Sequence, residues 1–202
     1  MKNIETLTRF IMLASIFPIM GLLAGWFIFF NILPDARILL PAMSGFFMGV
    51  LIDVKFLKQW MEEANQASLW IWALVYLFYT ICIFGFFMGV PLANLALGLP
   101  AGILFASRLR AAQTPTDEVP ASARKFAWFT TLVYFIICIA SATIALLDPY
   151  TAANLEGMLQ LPFQLTLGMI WGLIIIGGTF TVAVQWLLTH TVVQRTYQWL
   201  DA

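Results

Sequence analysis

The sequence predicts an all-α fold: a polytopic membrane protein built as a six-transmembrane-helix bundle with small-residue (GxxxG) packing. Three observations predict it. Of 202 residues, 62% are hydrophobic and only 10% are charged, where a soluble domain carries about a quarter, and the mean hydropathy is +0.92. The apolar residues fall in six runs, each near the roughly 20 residues that a helix needs to cross a hydrocarbon core. Threading the runs alternately puts Lys2, Arg9, Lys55, Lys58, Arg108, Arg110, Arg124, Lys125 and Arg195 on one side and Arg37 alone on the other. The positive-inside rule reads that bias as a plasma (inner) membrane protein with cytoplasmic N and C termini. The loops are too short for a second core, so residues 1–202 are expected to form one integral membrane domain.

The first helix is expected over 8–30. It follows Lys2 and Arg9, but it is too long for a signal-peptide core and lacks a small-x-small cleavage site, so it reads as a retained span. A tight outer loop at 31–37 contains Pro34. The second helix covers 38–57 and ends where Asp53, Lys55 and Lys58 reach the headgroups. Over 55–66, Phe56, Leu57, Trp60 and Met61 recur at helical spacing, with Lys58, Gln59, Glu62 and Glu63 facing away, which suits an interfacial extension. A third helix, 69–90, turns sharply at Pro91 into a fourth, 91–109, with Pro100 inside it. Residues 111–123 form a hydrophilic linker, expected to be mobile. The fifth helix spans 126–147. The outer segment 148–164 carries Leu155, Met158 and Leu159, enough for a short surface helix. The sixth helix covers 165–188, and His190, Arg195, Tyr197 and Trp199 form a tail. Trp60, Trp70, Trp72, Trp128, Trp186 and Trp199 gather at the inner side, as an aromatic belt does.

Five of the six helices carry glycines four residues apart: Gly21/Gly25, Gly45/Gly49, Gly85/Gly89, Gly98/Gly102 and Gly168/Gly172. Residues at i and i+4 share a face, and without side chains they let backbones approach closely. The expectation is a tightly packed bundle; the alternative is a narrow pathway walled by backbone. The hexapeptide Gly-Phe-Phe-Met-Gly-Val occurs at 45–50 and again at 85–90. Setting Pro34 against Pro91 also brings Gly45 onto Gly102, a hint of a duplicated hairpin.

Chemistry is sparse. No charge lies in the central third of any run, and intramembrane charges are the default functional markers. Asp53 comes closest, and is expected to pair with Lys55 or a neighbouring helix, or else to line a path. One histidine, His190, excludes a bis-histidine haem or a histidine metal cluster within one chain. Cys82 and Cys138 read as buried thiols. No nucleophile–base pair, phosphate loop or metal motif is present, so neither an enzyme nor a cofactor is expected. Zero net charge with no basic stripe argues against nucleic acid. Asn94 is expected to satisfy backbone groups at the Pro91 turn or to offer an amide to a solute. Gln164 and Gln185 are similar amides near the two ends of the sixth helix. Ser15, Ser44, Thr80, Ser141, Thr143, Thr179 and Thr181 are expected to bond their own helix backbone.

In length and helix count the chain is similar to small solute-binding membrane subunits of vitamin uptake systems. The function expected is a small transporter or solute-binding membrane subunit; the absence of mid-membrane charge fits a neutral or weakly polar molecule, with Asn94, Gln164, Asp53 and Gln185 as hydrogen-bonding or mouth residues. The alternative is a non-transporting accessory subunit that packs against a larger membrane partner or a second copy. The first predicts a solvent-reachable cavity at the amides. The second predicts a filled core and an outward small-residue face.

Overall fold

The computed structural model describes residues 2–30, 32–33, 35–64, 66–87 and 89–201. All regular structure among them is helical. Six helical stretches among the described residues are long and apolar enough to cross a membrane: Ile4–Phe29, Arg37–Glu63, Leu69–Phe86, Leu92–Ala111, Val119–Leu147 and Leu167–Leu200. The chain divides into two compact units, Met1–Val75 and Tyr76–Ala202.

In the first unit, α1 (Lys2–Ala14) breaks at Ser15 before α2 (Ile16–Phe29). Pro18 has no N–H to return to the carbonyl of Ala14, so the helix loses a bond there. The Ser15 hydroxyl instead donates to the Ile11 carbonyl, at 2.6 Å. α3 (Asp35–Glu63) runs unbroken past residue 55, because no glycine or proline interrupts 50–63. The stretch expected as a separate interfacial segment is therefore the continuation of α3. α2 and α3 pack as an antiparallel pair on their small residues. A Cβ on Gly21 would stand 2.1 Å from the Gly45 carbonyl oxygen, and one on Gly25 would stand 2.2 Å from that of Pro41. One on Gly49 would meet the Phe17 carbonyl at 2.2 Å. Where the pair ends, Phe17 stacks on Trp60 with ring centroids 4.8 Å apart. Arg9 pairs with Glu5 and donates to the Met61 carbonyl at 3.4 Å. The Trp72 indole N–H closes the turn into α4 (Leu69–Phe86) by donating to the Ala64 carbonyl at 3.1 Å.

The second unit begins within α4. That helix stops because Gly89 adopts φ +82°, a left-handed conformation that glycine enters without strain. The Gly89 N–H then reaches back to the Phe84 carbonyl at 2.9 Å. After Pro91, α5 (Leu92–Leu95) leads into α6 (Gly98–Ala111). α7 (Val119–Leu147) begins with Pro120 in its first turn, where a missing N–H is harmless. Half of the expected linker is thus helical. The loop before α7 is pinned as well, since the Tyr197 hydroxyl donates to the Thr114 carbonyl at 2.6 Å. α8 (Thr151–Leu159) forms in the segment after α7. Its Glu156 carboxylate accepts from the Leu165 N–H at 2.5 Å and so ties down the chain that returns to the bundle.

The last span is compound. α9 (Leu167–Gly172) widens into a π-helical turn at Leu173–Gly177 and continues as α10 (Gly178–Asp201). Inserting a residue into a helix this way is frequent at functional sites. The Thr181 hydroxyl lies 2.9 Å from the Gly177 carbonyl and 3.1 Å from that of Gly178, one turn after the widening. The expected tail residues His190, Arg195, Tyr197 and Trp199 continue the helix of α10. It packs against both α6 and α7. Ala106, Val119, Ala123, Val193 and Tyr197 form the apolar core at one end of this trio, capped by the Phe105–Phe126 stack at 4.1 Å.

Candidate functional site

The trio α6, α7 and α10 buries polar side chains along its shared seam. On α7 the buried face includes Ala127, Thr130, Thr131 and Tyr134. On α10 it includes Gln185 and Thr189, both fully buried. α6 supplies Gly98, whose missing side chain leaves room: a Cβ there would lie 2.9 Å from the Thr189 hydroxyl and 3.1 Å from the Gln185 amide nitrogen. Thr130 and Thr189 hydroxyls stand 3.3 Å apart, and the Gln185 amide nitrogen lies 3.4 Å from Thr189.

Asn94 belongs at the same level. α6 and α10 run parallel, since Gly98 meets Gln185 and Thr189 while Gly102 meets Thr189 and Val192. One turn earlier along both helices, Asn94 on α5 comes level with Thr181 and Gln185, and α5 does pack against α10. Asn94 is 1% exposed, and its amide nitrogen donates to the Thr80 carbonyl of α4 at 2.7 Å. α7 runs antiparallel to α10, so Tyr134 comes to this level too. It is 1% exposed, and its hydroxyl has no hydrogen-bond partner among the described residues.

The demand for hydrogen bonds here exceeds the supply. Asn94 Oδ1, Gln185 Oε1 and Thr131 Oγ1 are buried and have no partner among the described residues. A buried donor or acceptor left unmet costs about 1–3 kcal/mol, and native interiors hold few of them. Several in one seam, on helices otherwise this apolar, mark the place where an occupant would be stabilised. No side chain named in the seam carries a charge. The arrangement can therefore hold a small polar molecule by hydrogen bonds, and among the described residues there is no cluster able to hold a metal.

Of the four residues picked out from the sequence, the structure brings Asn94 and Gln185 into this seam. Gln164 lies in the exposed stretch between α8 and α9 and joins no amide. Asp53 belongs to the first unit. It is 5% exposed, and neither carboxylate oxygen has a partner among the described residues. The expected pairing with Lys55 is not formed; the Lys55 ammonium sits over the Phe56 ring instead, 5.1 Å from its centroid. Sequence reasoning missed Thr130, Tyr134 and Thr189. The available signal was their spacing: Thr130 and Tyr134 on one helix, and Thr181, Gln185 and Thr189 on another, are all four apart. The expected return of hydroxyls to their own helix is seen at Ser15, Ser44, Thr80, Thr143 and Thr181.

The described residues also line a separate open groove of about 470 Å³ where α8 faces the π-helical turn. Leu155, Phe163, Met169, Leu173 and Ile176 line it, and no amide does. Comparison with protein-family models, with curated proteins and with solved structures finds no match for this chain.

Proposed function

We propose that this chain is a multi-pass membrane protein that binds and passes a small uncharged solute at the polar seam of its second unit. One observation carries the reading: the buried amide oxygens of Asn94 and Gln185 stand without partners where α5 and α6 pack against α10. In a bilayer no water is at hand to meet such groups, so an occupant has more to gain there than in a soluble core. The seam is closed to solvent, so the opening expected at the amides is not present in this conformation. A closed site suits a protein that exposes its solute alternately to the two sides, as proteins built from helical repeats do. The lysine and arginine bias supports the plasma membrane with both termini in the cytoplasm, and the bilayer is the first partner.

The test is permeation. Full-length protein in liposomes, challenged osmotically with a panel of small neutral solutes, is expected to speed the re-swelling step for at least one solute over protein-free vesicles. Gln185→Met, which keeps the bulk and removes the amide, is expected to abolish that increment. Vesicles that never exceed the protein-free rate would sink the reading.

A second reading rests on a different observation. A Cβ at Gly85, Gly172 or Gly178 would meet nothing within 4 Å, so these small residues go unused within their own unit. They suit an accessory subunit packing against a membrane partner or a second copy. A photo-crosslinking residue at position 172, activated in native membranes, would give one discrete protein adduct on that reading and lipid adducts alone if it is wrong.

A further inference from the structure

In the first unit, apart from the polar seam, we infer a proton-binding site at Asp53: its carboxyl stays neutral in mildly acidic to neutral water, and folding of the unit takes up that proton. Asp53 is 5% exposed, and neither of its oxygens has a partner among the described residues. An ionised carboxylate so placed needs a cation beside it, and without one it neutralises.

The cations of this unit are placed elsewhere. Lys55 is two positions on, and side chains at i and i+2 of a helix do not face each other; its ammonium sits over the Phe56 ring, 5.1 Å from the centroid. Lys58 is exposed, five positions on and about 140° round the helix. From α1, which packs against α3, Arg9 pairs with Glu5 and reaches the Met61 carbonyl, two turns beyond Asp53. Lys2 lies at the far end of α1. α2 carries no ionisable side chain.

The backbone opposite also favours the neutral acid. A Cβ on Gly49 would meet the Phe17 carbonyl and the Pro18 nitrogen. One turn further along α3, Asp53 therefore comes level with the end of α1, where the last carbonyls lack helix donors and the helix dipole is negative. A carboxylate can only accept there, whereas the protonated acid has a hydrogen to give. Phe56 and Trp60 follow Asp53 by three and seven positions, on its own face of α3. Trp60 stacks on Phe56 at 5.7 Å and on Phe17 at 4.8 Å, so aromatic rings bridge α2 and α3 at this end. A metal ion would need several oxygens around it, and no cluster of acids or histidines gathers among the described residues. A proton needs only the carboxyl.

Infrared spectroscopy of the full-length chain in detergent tests this. At about pH 6, well above the ordinary carboxylate range, the carbonyl stretch of a protonated carboxylic acid is expected, and Asp53→Asn is expected to remove it. Carbon-13 aspartate should move the same band in the unaltered chain, which keeps the test open if the variant does not fold. Equilibrium unfolding supplies the second readout. The unfolded chain ionises Asp53 above about pH 3.9 and the folded chain does not, so the native state binds the extra proton and its stability falls as pH rises. The folding constant of the unaltered chain should drop, relative to Asp53→Asn, by about tenfold per pH unit between roughly pH 5 and 6. The offset between the two chains depends on how the amide fits, but the slope does not. A missing band, a band that labelled aspartate leaves unmoved, or parallel pH profiles would overturn the site. Stabilisation by sodium over choline chloride at equal ionic strength, lost in Asp53→Asn, would overturn it too, by showing a metal ion in place of the proton.

Discussion

The two units use the same small-residue pattern for opposite ends. Between α2 and α3, glycine lets backbone meet backbone: Gly21, Gly25, Gly45 and Gly49 each face a main-chain atom within 2.2 Å of where a Cβ would stand. Between α6 and α10, Gly98 faces side-chain atoms, the Thr189 hydroxyl and the Gln185 amide. The first arrangement brings two backbones into close dispersion contact along the helix pair. The second makes space for polar groups that are not fully satisfied. A glycine four residues from another thus says that something approaches. What approaches decides whether the place is a clamp or a site.

The largest effect should come from attacking the clamp. Gly45→Ala places a methyl 2.0 Å from the Gly21 carbonyl oxygen, and a backbone atom cannot rotate away. The helices must separate, so overpacking at the upper end of its usual range is expected, about 3 kcal/mol or more. Loss of helicity at lower temperature, followed by circular dichroism in detergent, measures it. A neutral result would mean that α2 and α3 do not pack as described.

Gly98→Ala sharpens the contrast. Its new methyl meets the tips of Thr189 and Gln185, which can turn aside. A milder loss of about 1–2 kcal/mol is expected, together with loss of the permeation increment, because the displaced Gln185 amide no longer presents Oε1. Thiol-reactive dye binding to Cys82 and Cys138, half-buried in the second unit, reports its unfolding during heating. If Gly98→Ala were as damaging as Gly45→Ala, the distinction between clamp and site would fail.

Much of this was legible beforehand, and the limit has a physical cause. Apolar length alone locates six candidate spans, and the Pro91 turn follows from a residue that cannot donate. Asn94 and Gln185 stand out as amides in apolar runs. The partner of Asn94 did not, because Thr80 lies 14 positions back on another helix and the local turn seemed the nearer claimant. Tyr134 and Thr130 were passed over because an aromatic or a β-branched residue in such a helix normally packs as core. Spacing also cannot tell a packed glycine from an open one, since it defines a face of one helix and leaves the other helix unnamed.

Asp53 is the first unit's polar exception and should break the pattern in a measurable direction. Its carboxylate is buried without a partner, so Asp53→Asn, which keeps the shape and drops the acid, is expected to stabilise the unit by about 1 kcal/mol. A rise of the thermal midpoint by circular dichroism confirms it. A fall would reveal a cation paired with Asp53 and would make this end of α3 a site in its own right.

The smallest effect tests the open glycines. Gly172 lies just before the π-helical turn, and a Cβ there meets nothing within 4 Å. Alanine suits a helix better than glycine by about 1 kcal/mol, and no neighbour opposes it. Gly172→Ala should therefore leave stability unchanged or raise it slightly in purified protein, where Gly45→Ala lowers it. The informative comparison is between detergent and membrane. If an outside helix normally lies on this face, Gly172→Leu will be harmless to the purified chain yet will lower co-purification of that partner from native membranes, because the steric cost appears only when the second surface arrives. Harm in the purified chain would show that the face is already covered from within, and Gly172 would join Gly45 as a clamp.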